Sequence, residues 1–292
     1  MTERRRLVRV PSTSANLGPG YDVLAAALSM HLELEVTETG EFSVDAGDSG
    51  VPETRDNLCV RAFERLHPAD GLRFEIRSEI PVAVGLGSSA AAIVAGLMAA
   101  EHLYELALER DELLTHAVDL EGHPDNVAAA LYGGFVICGN HGGVPNATRL
   151  DPPEGVEGVL VIPEERVTTA EARSALPSEV PLTDAVANVA AASLLVLGIV
   201  RSDLTLIERG LADRLHQPHR SGLYPRSMEL LGEAERMGAI GATISGAGPS
   251  VLVWTFWQST GKVVEALKQR VGDWAEVRRV PFSPLGADVP EL

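Results

Sequence analysis

Residues 81–92 read PVAVGLGSSAAA. A short apolar run ends in Gly85-Leu86-Gly87, two serines follow, and an alanine-rich segment then continues as helix. A glycine loop that opens a helix suits an anion. The first N–H groups of a helix have no partner within it, and the helix dipole turns its positive end toward the ligand. Glycines let the backbone come close to a phosphate. The hydroxyls of Ser88 and Ser89 stand where they can cap the helix, meet phosphate or hold Mg2+.

Three readings of this loop compete. The plainest is a strand-to-helix turn with serine caps and no ligand. The second is a dinucleotide site, because Gly85-x-Gly87-x-x-Ala90 fits the Gly-x-Gly-x-x-Gly/Ala fingerprint. That fingerprint expects a strand ending in an acidic residue about 20 residues further on. Here the pattern stays helical through Leu106, and another helix begins at Asp111. The third is a triphosphate loop. It is not of the Walker type, since no Gly-Lys-Ser/Thr follows the glycines; the double serine and the alanine run favour a different ATP loop.

Composition narrows the choice. The 292 residues are 45% hydrophobic and 22% charged, a soluble globular balance that predicts two domains or one large one. A formal charge of -17 argues against nucleic acid or an anionic membrane as partner, so bound ATP needs local positive groups or Mg2+. Two cysteines, Cys59 and Cys138, make neither a disulfide framework nor a metal cluster and are expected as buried thiols in a reducing compartment. Arg4-Arg5-Arg6 is not followed by an apolar signal segment, which predicts a cytoplasmic protein. The apolar stretches 90–100 and 185–200 are short or interrupted by Asn188 and Ser193, and read as core helices rather than membrane spans.

The chain alternates strands and helices. Strands are expected at 7–10 (stopped by Pro11), 32–37, 73–80, 135–138, 156–162, 242–245, 251–254 and 275–280, with 42–44 as a hairpin partner of 32–37 and 21–29 ambiguous. Helices are expected at 57–66, 88–108, 111–120 with Asp111 as N-cap, 126–132, 169–175, 183–197, 203–211, 225–237 and 261–271. Residues 141–153 read as a surface loop, and the Pro-rich 281–292 as an ordered tail at most. The order of elements suits α+β better than regular βαβ winding. It predicts a boundary that leaves an N-terminal ATP-binding domain at 1–155 and a substrate-side domain at 156–292.

Three glycine-bearing segments stand out together: PSTSANLGPGYD at 11–22, PVAVGLGSSAAA at 81–92 and GATISGAGPSVLV at 241–253. Each alone reads as turns. Their order and spacing resemble the kinase superfamily named for galactokinase, homoserine kinase, mevalonate kinase and phosphomevalonate kinase, over almost the whole chain. Within it the match is closest to the homoserine kinase family. EGHPDNVA at 121–128 with Tyr132-Gly133-Gly134, Thr169-x-x-x-Arg173-x-x-Leu176-Pro177 and Asp213-x-Leu215-His216-x-Pro218-x-Arg220 resemble its signatures. Some members carry several residues between the glutamate and His-x-Asp-Asn, whereas here a single glycine separates Glu121 from His123.

The resemblance implies a two-domain α+β kinase fold. Its N-terminal domain is similar to ribosomal protein S5 domain 2, and its C-terminal domain is ferredoxin-like. It also implies ATP-dependent phosphorylation of L-homoserine on a step toward threonine, and a homodimer. The nucleotide would lie on Pro81, Val82, Ala83, Val84, Gly85, Leu86, Gly87, Ser88, Ser89, Ala90 and Ala91, with Asn57 near the adenine and ribose. Asn57 reads equally as a plain N-cap. Mg2+, a hard cation, would take Ser89 Oγ and Glu121. The plain alternatives are a serine cap and a carboxylate at a helix end. The dipole disfavours an anion there, a hint of a cation nearby. The homoserine carboxylate calls for guanidinium groups, and Arg173 and Arg220 match the family positions; otherwise both are surface arginines. Asn16, Asp22 and Asp125 are candidates for the ammonium. Asn16 and Asp22 also read as turn formers. Thr169, His123, His216 and Gly246 complete the substrate set.

Asn126 stands where mevalonate-type relatives resemble one another in carrying an aspartate base. An asparagine cannot take a proton in that role, so the expected catalysis is positioning and charge stabilisation without a dedicated base, with Asp125 as the rival base. The alternatives are another small-molecule kinase of the superfamily, an NAD-dependent oxidoreductase, or a nucleotide-binding regulator without chemistry.

Overall fold

The computed structural model describes residues 4–290. The chain opens with strands β1 (Arg5–Ala15), β2 (Leu24–Glu38) and β3 (Ser43–Asp45), helix α1 (Leu58–Glu64), strand β4 (Leu72–Ser78), helices α2 (Ser88–Tyr104), α3 (Arg110–Glu121) and α4 (Asp125–Tyr132), and strands β5 (Phe135–His141) and β6 (Val144–Leu150). It continues through β7 (Val156–Pro163), α5 (Thr169–Ser174), α6 (Leu182–Arg201), α7 (Leu204–Gly210), α8 (Pro225–Glu233), β8 (Gly241–Ile244), β9 (Val251–Phe256), α9 (Thr260–Val271) and β10 (Ala275–Val280).

The first sheet has the order β3-β4-β2-β5-β6, with β1 running along β2. The second is antiparallel in the order β10-β7-β9-β8. Counted from β7 as first, that is fourth-first-third-second, the ferredoxin-like arrangement. The fold is the expected mixed α+β kinase architecture.

Helix α2 is apolar on nearly every side, with Ile93, Val94, Leu97 and Met98 all buried, because it fills the space between the first sheet, α1 and α3. Gly96 makes its crossing with α1 possible. A Cβ there would lie 2.1 Å from the carbonyl oxygen of Cys59. Phe135, Trp254 and Phe282 join the two halves, with ring centroids 4.7–5.7 Å apart. The tail after β10 returns to the first sheet: Phe282 bridges Leu28 and Asp288 bridges Arg9. Glu291 and Leu292, its last two residues, lie outside the described residues.

Several elements differ from expectation. Strand β1 is not stopped by Pro11 but runs on to Ala15. Pro11 sits where the register with β2 shifts, and among the described residues no strand other than β2 forms a ladder with β1, so its missing N–H breaks no second ladder. Strand β2 begins at Leu24, inside the ambiguous segment. Strand β3 pairs parallel with β4 and is not the hairpin partner of β2. Residues 141–150 are not a loop but the turn and outer arm of the β5–β6 hairpin, and the irregular part is confined to 151–153. The polar VPNATRL of β6 is tolerated because it forms a solvent-facing edge. Helix α3 is capped by Glu109, in a capping box with Glu112, and not by Asp111. Helix α2 ends at Tyr104, short of the expected 108, where Glu105 turns left-handed. Helix α6 is not a core helix: Leu182, Val186, Val189 and Val200 are 61–79% exposed. By length and composition alone it could cross a membrane, and it is the one such helix among the described residues.

Candidate active site

The three glycine-bearing segments meet. Gly87 opens α2 at a left-handed φ of 69°, and neither serine caps the helix. A Cβ on Gly87 would lie 1.9 Å from Thr13 Oγ1, so only glycine lets β1 lie this close to the loop. Thr13 N–H donates to Leu86 O at 3.1 Å. From the third segment, Ser245 Oγ donates to Gly85 O at 2.6 Å. The first and third segments are joined as Gly246 N–H donates to Ala15 O (3.1 Å) and Asn16 Nδ2 to Gly246 O (2.8 Å).

Above this junction lies a cleft of about 730 Å3 walled by the first sheet, α2 and, from the later half, residues 166–173, Arg220 and 246–247. Its floor is the expected loop: Pro81, Val82, Ala83, Gly85, Leu86, Gly87, Ser88 and Ser89 all reach it. Val84, Ala90 and Ala91 do not. Their side chains are buried in the core, and Ala91 N–H is already used by Gly87 O. Asn57 lines the cleft, but both its polar atoms are engaged: Oδ1 accepts from Cys59 N–H at 2.9 Å and Nδ2 donates to Pro52 O at 2.8 Å. It is the N-cap of α1. Beside it Val51, Leu58, Ile76 and Ile80 give that end an apolar lining suited to a flat base, a feature no sequence motif announced.

At the opposite side of the loop, Ser89 Oγ donates to Glu121 Oε1 at 2.6 Å. Glu121 ends α3, the helix end that disfavours an anion. Two hard oxygens side by side, at the mouth of an anion-binding helix, fit what Mg2+ takes from a protein when phosphates supply the rest. No group of three or more His, Cys, Asp or Glu that could hold a metal occurs among the described residues.

The far end of the cleft carries positive groups from later elements. Arg220 is 2% exposed yet lines the cleft. Its Nε donates to Ala172 O (3.0 Å), and its Nη1 donates to Gly246 O (3.1 Å) and His216 Nδ1 (3.1 Å). All three partners are neutral, and no carboxylate lies within salt-bridge distance of it among the described residues. A buried guanidinium held only by neutral acceptors leaves its charge to be met by an anion from outside. His216 belongs behind Arg220, not at the substrate: it is fully buried and off the cleft wall. Its Nε2–H donates to Gly18 O at 2.8 Å and its Nδ1 accepts from Arg220, which requires the neutral imidazole. Burial accordingly holds its pKa below the ordinary 6.5.

Arg173, at the end of α5, is paired bidentately with Asp22, Nη2 to Oδ1 at 2.8 Å and Nη1 to Oδ2 at 3.0 Å. It also donates to Tyr21 Oη at 2.8 Å. The Tyr21 ring centroid lies 5.5 Å from both guanidinium carbons. Asp22 adopts a left-handed φ of 57°, with its N–H held by Asn16 Oδ1 at 3.0 Å. His123, Asp125, Asn126, Thr169 and Gly246 complete this end. Buried Asp125 accepts on Oδ1 from Asn126 N–H (2.7 Å) and from His123 Nδ1 (3.1 Å). The Asp125 carboxylate raises the His123 pKa above 6.5 against the effect of burial.

Tyr21 and Thr13 were not singled out from sequence although both lie within the first glycine-bearing segment. Their neighbours 152 and 113 residues away exist only in the fold. Arg166, a third guanidinium on the cleft wall, carried no signal at all.

Models of the GHMP kinases match the chain twice, the N terminal domain over residues 57–134 and the C terminal domain over 195–275. The homoserine kinase of Moorella thermoacetica is 38% identical over 256 residues, covering 85% of this chain and 86% of that protein. That of Carboxydothermus hydrogenoformans is 38% identical over 280 residues, 92% of each. The chain belongs to the homoserine kinase family of the GHMP kinases. A solved homoserine kinase from Cytophaga hutchinsonii superposes with a TM-score of 0.88 at 30% identity, over 99% of this chain and 98% of that one. Members of a kinase family use ATP, and the glycine loop and the arginines line one continuous cleft.

Proposed function

We propose that this chain transfers the γ-phosphoryl group of ATP to the hydroxyl of L-homoserine, giving O-phospho-L-homoserine, a cytoplasmic step toward threonine. The observation that carries the reading is Arg220, a buried guanidinium facing the cleft with only neutral partners, beside a second arginine and next to a helix-opening glycine loop. An amino-acid carboxylate supplies the missing anion, and N–H groups at the start of α2 receive the triphosphate.

The residues divide the work as follows. Arg220 and Arg173 grip the carboxylate. To do so Arg173 must release Asp22, which then faces the ammonium together with Asn16 and Asp125. Ser89 and Glu121 would hold Mg2+, which neutralises phosphate charge when bound. Asn126 holds the acceptor hydroxyl. No side chain serves as a dedicated base: the proton leaves to a phosphate oxygen or to water, as a loose transition state permits. The 1–155 half then carries the nucleotide and the 156–292 half contributes the carboxylate grip.

We also propose that two copies pair through α6. Its exposed apolar stripe, Leu182, Val186, Val189, Leu197 and Val200, runs the length of the helix. A two-fold axis would lay it antiparallel on its own copy.

The test is ADP release with homoserine, mevalonate, galactose or no acceptor, beside an NADH absorbance control. Release with homoserine alone supports the reading; release with mevalonate or galactose, or an NADH signal, refutes it.

A further inference from the structure

Asn126 is held from two sides. Its Nδ2 lies 3.4 Å from Asp125 Oδ1, which can only accept, so the amide nitrogen faces the carboxylate and the amide oxygen faces away. That oxygen lies 2.7 Å from Thr13 Oγ1, and an amide oxygen only accepts; the Thr13 hydroxyl is therefore the donor. Thr13 itself is fully buried and stands off the cleft wall, so it touches neither substrate. The same residue gives its backbone N–H to Leu86 O, and its hydroxyl fills the space that only Gly87 leaves free. One threonine thus braces both the nucleotide loop and the amide beside the acceptor.

We propose that Thr13 is a positioning residue of the phosphoryl transfer. It pins the Asn126 amide so that the second N–H of Nδ2, not Oδ1, is offered to the acceptor oxygen, and it sets the distance between that amide and the nucleotide loop. This rests on the proposed kinase reading. The acceptor O–H proton is not passed to Asn126 or Thr13. Asn126 donates to the oxygen that forms the new P–O bond, the hydroxyl proton leaves to a phosphate oxygen or to water, and the bond from the γ-phosphorus to the bridging oxygen breaks as ADP leaves.

The experiment compares Thr13→Val, Thr13→Ala and Thr13→Ser, each alone and with Asn126→Ala, at saturating ATP and homoserine. Loss of one neutral hydrogen bond in the transition state alone predicts that Thr13→Val and Thr13→Ala lower kcat about tenfold, with both KM values within about twofold. Thr13→Ser restores most of the rate. In the Asn126→Ala background, Thr13→Val costs less than about twofold more. A second reading needs no turnover: the Asn126 side-chain amide resonance, assigned by its loss in Asn126→Ala, shifts in Thr13→Val and not in Thr13→Ser. Equal losses in both backgrounds, a Ser variant as slow as Val, an effect confined to KM, or an unmoved amide resonance overturns the proposal. If the wild type does not phosphorylate homoserine, the functional reading fails, and the amide resonance still decides for or against the pinning.

Discussion

Arg173 and Asp22 show most clearly what a site does before its ligand arrives. The side chain suited to the substrate carboxylate is occupied by a carboxylate of the chain itself, in bidentate geometry. In the proposed grip homoserine exchanges with Asp22, so Arg173→Ala should lose a charged contact worth about 1.5–3 kcal/mol. Steady-state kinetics should show the KM for homoserine raised roughly 10- to 100-fold with the KM for ATP unchanged; an unchanged KM for homoserine removes Arg173 from the grip. His123 gives a pH signature. Its hydrogen bond to Asp125 raises the folded pKa above 6.5, so the pair's stabilisation is complete below that ordinary value and is lost as pH rises through the raised one. Thermal melts should show His123→Gln trailing the wild type clearly at about pH 5.5 and closing the gap by about pH 8.5. A gap that widens with pH would reverse the assignment. Sequence motifs picked out side chains that the fold brings to one cleft: Arg173 with Arg220, and Ser89 with Glu121. Side chains were not legible where the role is support. His216 was read as a substrate contact and is instead a neutral prop under Arg220. Nothing in the sequence says that the Thr13 hydroxyl meets a residue 113 positions on.

Among the elements, periodicity found nearly all helices and the buried strands, because apolar spacing reports directly which face meets the core. It failed at edges. Strand β6 lies on the rim and has little apolar face to show, and β1 passes a proline at its register shift, a position where proline is tolerated. The start of α2 is the element on which the proposed nucleotide site depends. Its Gly87 combines a positive φ with contact to Thr13, so Gly87→Ala cannot be absorbed by side-chain movement alone. Calorimetric titration with a non-hydrolysable Mg-ATP analogue should show affinity reduced at least about tenfold in this variant, since loop N–H groups lose their aim. Unchanged affinity would mean that the loop does not hold the nucleotide.

The whole molecule joins its halves through apolar packing, Phe135 against Trp254 and Phe282, with the tail stitched back across the first sheet. The two-domain kinase architecture was legible from the order of three glycine-bearing segments. The exposed face of α6 was not, since composition alone made that helix look like core. Placing a charge in the middle of the proposed pairing face, Val189→Glu, should convert a dimer to a monomer in sedimentation without loss of the folded protomer; a wild type already monomeric at micromolar concentration contradicts the pairing. The central claim is that one cleft brings a triphosphate held by main-chain amides to an amino acid held by two arginines. The most direct measurement is a crystal structure with homoserine and a non-hydrolysable ATP analogue. The account predicts the γ-phosphate over the N-terminus of α2 and the carboxylate on Arg220 and Arg173, with Asp22 released. A nucleotide bound elsewhere, or a homoserine carboxylate turned away from both arginines, would contradict it.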